Sequence, residues 1–511
     1  MTTTTTATVP GTTYDKLCDL SREAKTIGSI EALLGWDQET TMPSGGAAHR
    51  AKQISLLAML KHERFTSPEL GELIERCEDE MDPAADTVES ANLRCWRRDY
   101  DRAVKLPASL VGEQAETASA AQHEWIEARK ASDFKRFLPW LRKTVDLSRR
   151  QAECYGWASD GEPWDALAED YEPGCTAAHV ASVFTPLRIR LKDLLDDIMG
   201  SDATLDSRLD TTPLADELQM KFVRDVAGEL GFDFDRGRLD RSTHPFCGGS
   251  HCDDVRMTTR FHEALLTDAL SSTMHETGHG LYEQGIPYEH FGTPCGQSVS
   301  LGIHESQSRM WENQIGRSLE FWRWCTPRLA THFGDAFDGL RVEDAYACSN
   351  RVSPGFIRVE ADEATYNMHV MIRFEIERDL MTGDLDPADL PGVWNEKYRD
   401  NLGLEVPDDR RGCLQDVHWS MGAIGYFPTY TLGNLYCAQI FEKACEEMPG
   451  LMTGVAEGRF SPLLDWLRDR IHRHGRRYTA SQLCERITGE SLSAEPLMRY
   501  LEGKFRPLYG V

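Results

Sequence analysis

Residues 274–279 read Met-His-Glu-Thr-Gly-His, and this run constrains the fold more than any other stretch of the chain. An α-helix turns once in about 3.6 residues, so His275 and His279 stand one above the other only if the run is helical. Both imidazoles then reach one cation, and Glu276 projects beside them as the candidate general base for water activated there. Two histidines do not complete a site. The fold must deliver a third ligand from another element and still leave one coordination position open.

The nearest supply is His304-Glu305-Ser306-Gln307, within a helix expected to start near Ser298 or Ser300. A loop containing Gly and Pro, from Gly285 to Gly296, separates the two segments, and antiparallel helices joined by it would carry Glu305 to the ion. His304 is the rival ligand. Adjacent helical residues point about 100° apart, so the two cannot serve equally. Two histidines and one carboxylate suit a hydrolytic zinc, which favours Glu305.

The surrounding chain reads as scaffolding. Apolar residues at helical spacing predict helices over 14–34, 50–60, 68–80, 85–104, 108–131, 134–155, 177–198 and 213–230. Residues 35–43 read as a turn-rich break, and 157–175 as a loop between long helices. Across 232–260 the composition shifts to clustered Gly, Asp, His and Cys, and 255–259 reads as extended. A small sheet is therefore expected to lead straight into the metal-binding helix, where an open strand edge could pair with an extended peptide. Helices resume over 298–329, 362–380, 390–402, 432–447 and 462–471 and continue toward the C-terminus. The expected fold is mainly α. At 511 residues more than one lobe is expected, but no long linker divides the chain. Residues 14–511 read as one catalytic unit behind a flexible Thr-rich tract, 1–13.

Charge narrows the partners. With 83 acidic against 56 basic residues the formal charge is -27, which argues against nucleic acid or an anionic membrane. The acids are dispersed, which reads as adaptation to a salt-rich cytoplasm, where at 1 M salt a Debye length of about 3 Å screens their repulsion. An ordinary acidic enzyme is the alternative. The fourteen cysteines form no Cys-x-x-Cys pair and read as reduced, mostly buried thiols. Cys247 and Cys252 lack the matching pair that a second metal site would need. The N-terminal tract has neither the basic nor the apolar region of a signal peptide, and no run approaches the ~20 apolar residues of a membrane span. A soluble cytoplasmic protein is expected.

Further motifs fall in a fixed order. Trp36-Asp37-Gln38-Glu39-Thr40 and Met42-Pro43 come first, then His244-Pro245-Phe246 and Asp254-Val255-Arg256-Met257-Thr258. The two metal-binding segments follow, then Ile357-Arg358-Val359-Glu360-Ala361-Asp362 and Gly412-Cys413-Leu414-Gln415-Asp416-Val417-His418-Trp419. In this series the sequence resembles the thermostable, Taq-type family of zinc metallocarboxypeptidases over most of its length. The resemblance implies removal of single residues from peptide C-termini with broad specificity. It also implies a metal held by His275, His279 and Glu305, with Glu276 as catalytic base. A mostly helical, two-lobed fold with the site at the bottom of a deep groove, a homodimer, and one zinc ion per subunit, often replaceable by cobalt, complete the expectation.

Other residues are assigned by their chemistry. The developing oxyanion needs a donor besides the metal; His418 is the first candidate and Tyr426, in the aromatic stretch 425–430 that also holds Tyr430, the second. The substrate carboxylate calls for an arginine fork, and Arg358 is preferred over Arg256. Asp254, Asp362 and Asp416 are candidates to orient ligand imidazoles, and Asp254, Gln415 and Tyr430 are also candidate substrate contacts. His244 is read as lining the groove, with a structural turn as the alternative. Two competing readings remain: an endopeptidase or aminopeptidase with the same metal centre, the latter anchoring the substrate amine on Glu360, and a non-catalytic helical peptide-binding protein.

Overall fold

The computed structural model describes residues 12–511. Its first helix, α1 (Thr13–Thr40), is closed by a reciprocal cap: the Thr12 hydroxyl accepts from the Asp15 N–H, and the Asp15 carboxylate accepts from the Thr12 N–H. Thr12 and Thr13 thus belong to the helix. The rest of the tract expected to be flexible lies outside the described residues. The break expected at 35–43 is absent up to Thr40, because packing outweighs the weak helix propensity of Gly35. Trp36 is buried beneath the guanidinium groups of Arg238 and Arg256, and Asp37 pairs with Arg50.

Then come α2 (Ala47–Phe65), α3 (Pro68–Glu80), α4 (Val88–Lys105), α5 (Ala108–Ala131) and α6 (Phe134–Tyr155), close to the helices expected from spacing. α1, α3 and α4 enclose a small core of their own around Leu17, Leu70, Ile74 and Trp96. α2 buries none of its residues and is held on α1 by the Arg50–Asp37 and Lys61–Glu31 ion pairs. The loop expected at 157–175 contains a short helix, α7 (Pro163–Ala168). Its Trp164 is fully buried and donates to Glu377 at 3.1 Å, a tertiary bond that no local pattern announces.

α8 (Ala177–Met199), α9 (Arg208–Thr211) and α10 (Asp216–Glu229) lead to the sheet. β1 (Gly237–Arg241), β2 (Cys247–His251) and β3 (Asp254–Thr259) form three strands with β3 in the centre, parallel to β1 and antiparallel to β2. β3 coincides with the expected extended stretch, and the sheet feeds α11 (Leu266–Gly285), the helix that carries the two histidines. The helix expected over 298–329 is three pieces: α12 (Leu301–Arg309), a π-helical stretch Met310–Ile315, and α13 (Leu319–Phe333), which restarts on the Ser318 hydroxyl cap.

α14 (Val342–Ser349) and α15 (Tyr366–Thr382) follow; Asp362 caps the approach to α15 by accepting from the N–H groups of Ala364 and Thr365. α16 (Leu390–Leu402) precedes α17 (Pro428–Glu447), which starts earlier than expected because proline suits a first helical turn. α18 (Leu451–Ala456), α19 (Ser461–Arg470), α20 (Ala480–Thr488) and α21 (Glu495–Tyr509) complete the chain. The fold is mainly α with one small sheet, and its large core passes through α11, α12, α15 and α17 at Leu270, Ile303, Phe374 and Leu435. All fourteen cysteines are free thiols, nine of them buried. Among the described residues no helix is long and apolar enough to cross a membrane.

Candidate metal centre

α11 is helical because Leu266, Ala269, Leu270, Thr273, Met274, Thr277 and Leu281 recur at three- and four-residue intervals and are all buried. That face packs against β3 and the core, so His275 and His279 emerge together toward α12. Their ring centroids are 4.9 Å apart. α12 lies against α11 at Gly278: a Cβ there would fall 2.6 Å from both the Gln307 carbonyl oxygen and the Ser308 Cα. On its other side α12 is pressed by α17 at Gly433, where a Cβ would lie 2.5 Å from Glu305 Cγ. Two glycines thus clamp α12 and aim Glu305 at the histidines.

The result is a convergent donor set. Glu305 Oε2 is 3.5 Å from His275 Nε2 and 3.5 Å from His279 Nε2. A tetrahedral ion bound at about 2.1 Å spaces its ligand atoms about 3.4 Å apart, so these three atoms fit one divalent cation. Glu305 is held by Arg309 Nε at 2.7 Å and by the Ser308 hydroxyl at 3.1 Å. Burial alone would raise its pKa, but Arg309 and the two imidazoles outweigh it and keep the carboxylate ionised. Glu276, also buried, has no such partner, and burial pushes it up to about 7.

His304 turns away from the donor set, as its helical neighbour relation to Glu305 requires. Its Nε2 is 2.8 Å from Glu283 Oε1, and its ring stacks on His279 at 4.4 Å. Beside it a cavity of about 270 Å³ opens, lined by Glu283, Lys25, Cys247 and the rest of β2, the sheet's edge strand. Among the described residues a second group of possible ligands, His251, Cys252 and Asp253, lies at the turn after β2. Its members are engaged: Arg236 pairs with Asp253, and His251 Nδ1 accepts from the Asp253 N–H.

The remaining candidates fall into three places. His418, Tyr426 and Tyr430 form one aromatic group, with His418 Nε2 3.4 Å from the Tyr430 hydroxyl and Tyr426 edge-on to Tyr430 and Tyr171. Burial lowers His418 to about 4, so it is neutral. Arg358 lies beneath that group, stacked on Tyr430 and almost fully buried. Its Nε and Nη2 donate to Asp416 Oδ1 at 3.1 and 2.9 Å, and Nη1 donates to the Tyr366 hydroxyl at 3.0 Å. Gln415 is absorbed in the same network: its Oε1 accepts from the Arg358 N–H and from Arg373. Arg256 sits elsewhere, forked onto Asp254 and stacked on Trp36 of α1. His244 is exposed in the turn between β1 and β2, its carbonyl accepting from the Ser242 hydroxyl.

One expectation is corrected. None of Asp254, Asp362 and Asp416 orients a ligand imidazole, because each is committed to arginines or to helix-capping N–H groups. The carboxylate that meets one of the two histidines is Glu312, 2.9 Å from His275 Nδ1. Its sequence signal was the Glu305, Arg309, Glu312 stripe at intervals of four and three, a spacing shared by exposed helix faces.

Comparisons with known proteins point to one family. A family model described as carboxypeptidase Taq (M32) metallopeptidase matches residues 16–505. A thermostable carboxypeptidase 1 from Thermus thermophilus is 45% identical, covering 98% of this chain and 100% of its own. Carboxypeptidase 1 from Bacillus subtilis is 35% identical over 97% of this chain and 99% of its own. The crystal structure of an M32 carboxypeptidase from Deinococcus radiodurans superposes with a TM-score of 0.94 at 42% identity, covering 98% of this chain and 100% of that one.

Proposed function

The chain belongs to the carboxypeptidase Taq (M32) metallopeptidase family, and from that premise we propose the residues and steps by which it works as a metallocarboxypeptidase. It removes single amino acids from free peptide C-termini with broad specificity. His275, His279 and Glu305 hold one zinc ion per chain, with cobalt as a workable substitute. The observation that carries this reading is the 3.5 Å spacing of Glu305 Oε2 from both Nε2 atoms, with buried Glu276 beside them.

The ion, when bound, supplies the Lewis acidity that acidifies water and polarises the scissile carbonyl. Glu276 takes the proton of the attacking water on its carboxylate and returns it to the leaving amine, a role worth ~10²–10⁴-fold. Tyr430, Tyr426 and neutral His418 line one side and offer donors to the developing oxyanion. Arg358 draws the terminal carboxylate toward that aromatic group, and Arg256 is the second cation available to it. His244, Asp254 and Gln415 shape or stiffen the surrounding surface. The open edge of β2 gives the extended peptide main chain a strand to pair with.

The protein works as a cytoplasmic homodimer, and its acidity serves a salt-rich interior. The test combines metal content with two substrates. One ion per chain, loss of turnover in Glu276→Gln with metal retained, and no cleavage of a C-terminally amidated peptide are expected. Undiminished turnover in Glu276→Gln defeats the mechanism, and cleavage of the amide defeats the exopeptidase reading.

A further inference from the structure

A metal-bound imidazole uses one nitrogen on the ion and depends on the other for its tautomer and orientation. The two ligand histidines are held differently. His279 Nδ1 is buried with no hydrogen-bond partner among the described residues, and its ring stacks on His304 at 4.4 Å. His275 Nδ1 faces Glu312 Oε2 at 2.9 Å. Both Glu312 oxygens accept from arginines, so in this pair Nδ1 is the donor, which leaves Nε2 as the nitrogen for the ion.

Glu312 is fixed in turn. Arg309 Nη1 donates to its Oε2 at 3.2 Å, and Arg317 Nη2 donates to its Oε1 at 3.4 Å. The same Arg309 donates through Nε to Glu305, so one guanidinium locks a ligand and the partner of a second ligand. Glu312 sits in the π-helical stretch, whose wide turn is visible where the Gly316 N–H donates to the Trp311 carbonyl five residues back. That stretch presses on the α11 turn carrying His275: a Cβ on Gly316 would lie 2.7 Å from Met274 Sδ. Single π turns inside helices recur at functional sites.

We propose that Glu312, presented by the π-helical stretch and steadied by Arg309 and Arg317, is a positioning residue that fixes the tautomer and orientation of His275 for metal binding. This rests on the reading of His275, His279 and Glu305 as the metal ligands. Glu312 itself touches neither substrate nor ion. Removing it frees the His275 ring while His279, held by stacking, keeps its place.

The test is zinc affinity by chelator competition, together with the absorption spectrum of the cobalt-loaded protein. It compares Glu312→Gln, Glu312→Ala and a control, Glu363→Gln. Glu363 has a side chain about as shielded as that of Glu312, is paired with Lys504 at 2.7 Å, and among the described residues makes no ion pair with either histidine. Loss of such an orienting partner typically weakens metal binding 10–100-fold. We expect about tenfold weaker zinc binding in Glu312→Gln, which keeps an acceptor for Nδ1, and about a hundredfold in Glu312→Ala, with the cobalt spectrum altered in both. Glu363→Gln should bind zinc as the unaltered protein does. If Glu312→Ala does not fold, the isosteric Glu312→Gln decides. Affinities within twofold of the unaltered protein, or an equal loss in Glu363→Gln, overturn the proposal. Failure of the unaltered protein to bind zinc, or binding untouched by His275→Ala, would instead overturn the metal-site reading and this inference with it.

Discussion

Replacing Gly278 by alanine tests whether the approach of two helices sets the metal geometry. The new methyl would lie 2.6 Å from the Gln307 carbonyl oxygen and from Ser308 Cα, about 0.8 Å short of ordinary contact. Both obstacles are backbone, so no side chain can swing aside. α12 cannot retreat, because α17 holds it from behind at Gly433, in contact with the Glu305 side chain. The displacement therefore passes to Glu305. Metal–ligand distances tolerate about ±0.2 Å, so a shift several times larger should weaken zinc binding at least tenfold. Stability should change less: overpacking costs about 1–3 kcal/mol, while alanine recovers about 1 kcal/mol of helix propensity. Chelator competition reads the first quantity and denaturant unfolding of the metal-free protein the second. Unchanged affinity with raised stability would show that the helices have slack, and the clamp argument would fail.

Three further outcomes follow from the same structure. Arg358→Ala should raise KM sharply for peptides with a free C-terminus, and Arg256→Ala less; an unchanged KM in Arg358→Ala removes it as the anchor and leaves it a partner of Asp416. Glu377, buried among N–H donors from Trp164, Trp419 and Gly425, is pushed by burial from 4.5 to about 7. An acid whose pKa rises on folding favours the folded state when protonated. Its contribution, on the order of 3 kcal/mol, is present below pH 4.5 and fades as pH climbs to about 7. Glu377→Gln should flatten the unfolding free energy across that window, and an unaltered slope would contradict the assignment. Finally, melting temperature should rise with added salt if the charge of -27 reflects adaptation to a salt-rich interior; full stability and activity in dilute buffer would count against it.

What was legible in the sequence were features set by local spacing. The four-residue interval of His275 and His279, the helix bearing Glu305 and the extended stretch at β3 all follow from local spacing and composition. What escaped depends on partners distant in sequence. α1 runs through Gly35 because Trp36 meets Arg238 and Arg256, some two hundred residues away in the chain. Nothing local reveals that Arg358 pairs with Asp416, or that Trp164 anchors a helix inside an expected loop. Glu312 escaped for a different reason. A carboxylate on a helix is usually a solvated one, and only the tertiary structure shows this one turned inward to an imidazole.

The charges around His275, His279 and Glu305 bear on the proposal that Glu276 is the base. Arg309 and Arg317 balance Glu305 and Glu312, so those two carboxylates stay ionised in a buried setting. Among the described residues no arginine or lysine pairs with Glu276. Burial therefore raises its pKa to about 7; the neighbouring imidazole of His275 opposes that rise, while Glu305 and Glu312 add to it. A cation held by His275, His279 and Glu305 adds the missing opposite charge beside it and moves the carboxylate back toward its ionised form. The ligands and the base are thus coupled. Arg309 and Arg317 pair with Glu305 and Glu312, and the buried carboxylate left without such a pair is Glu276, the proposed base.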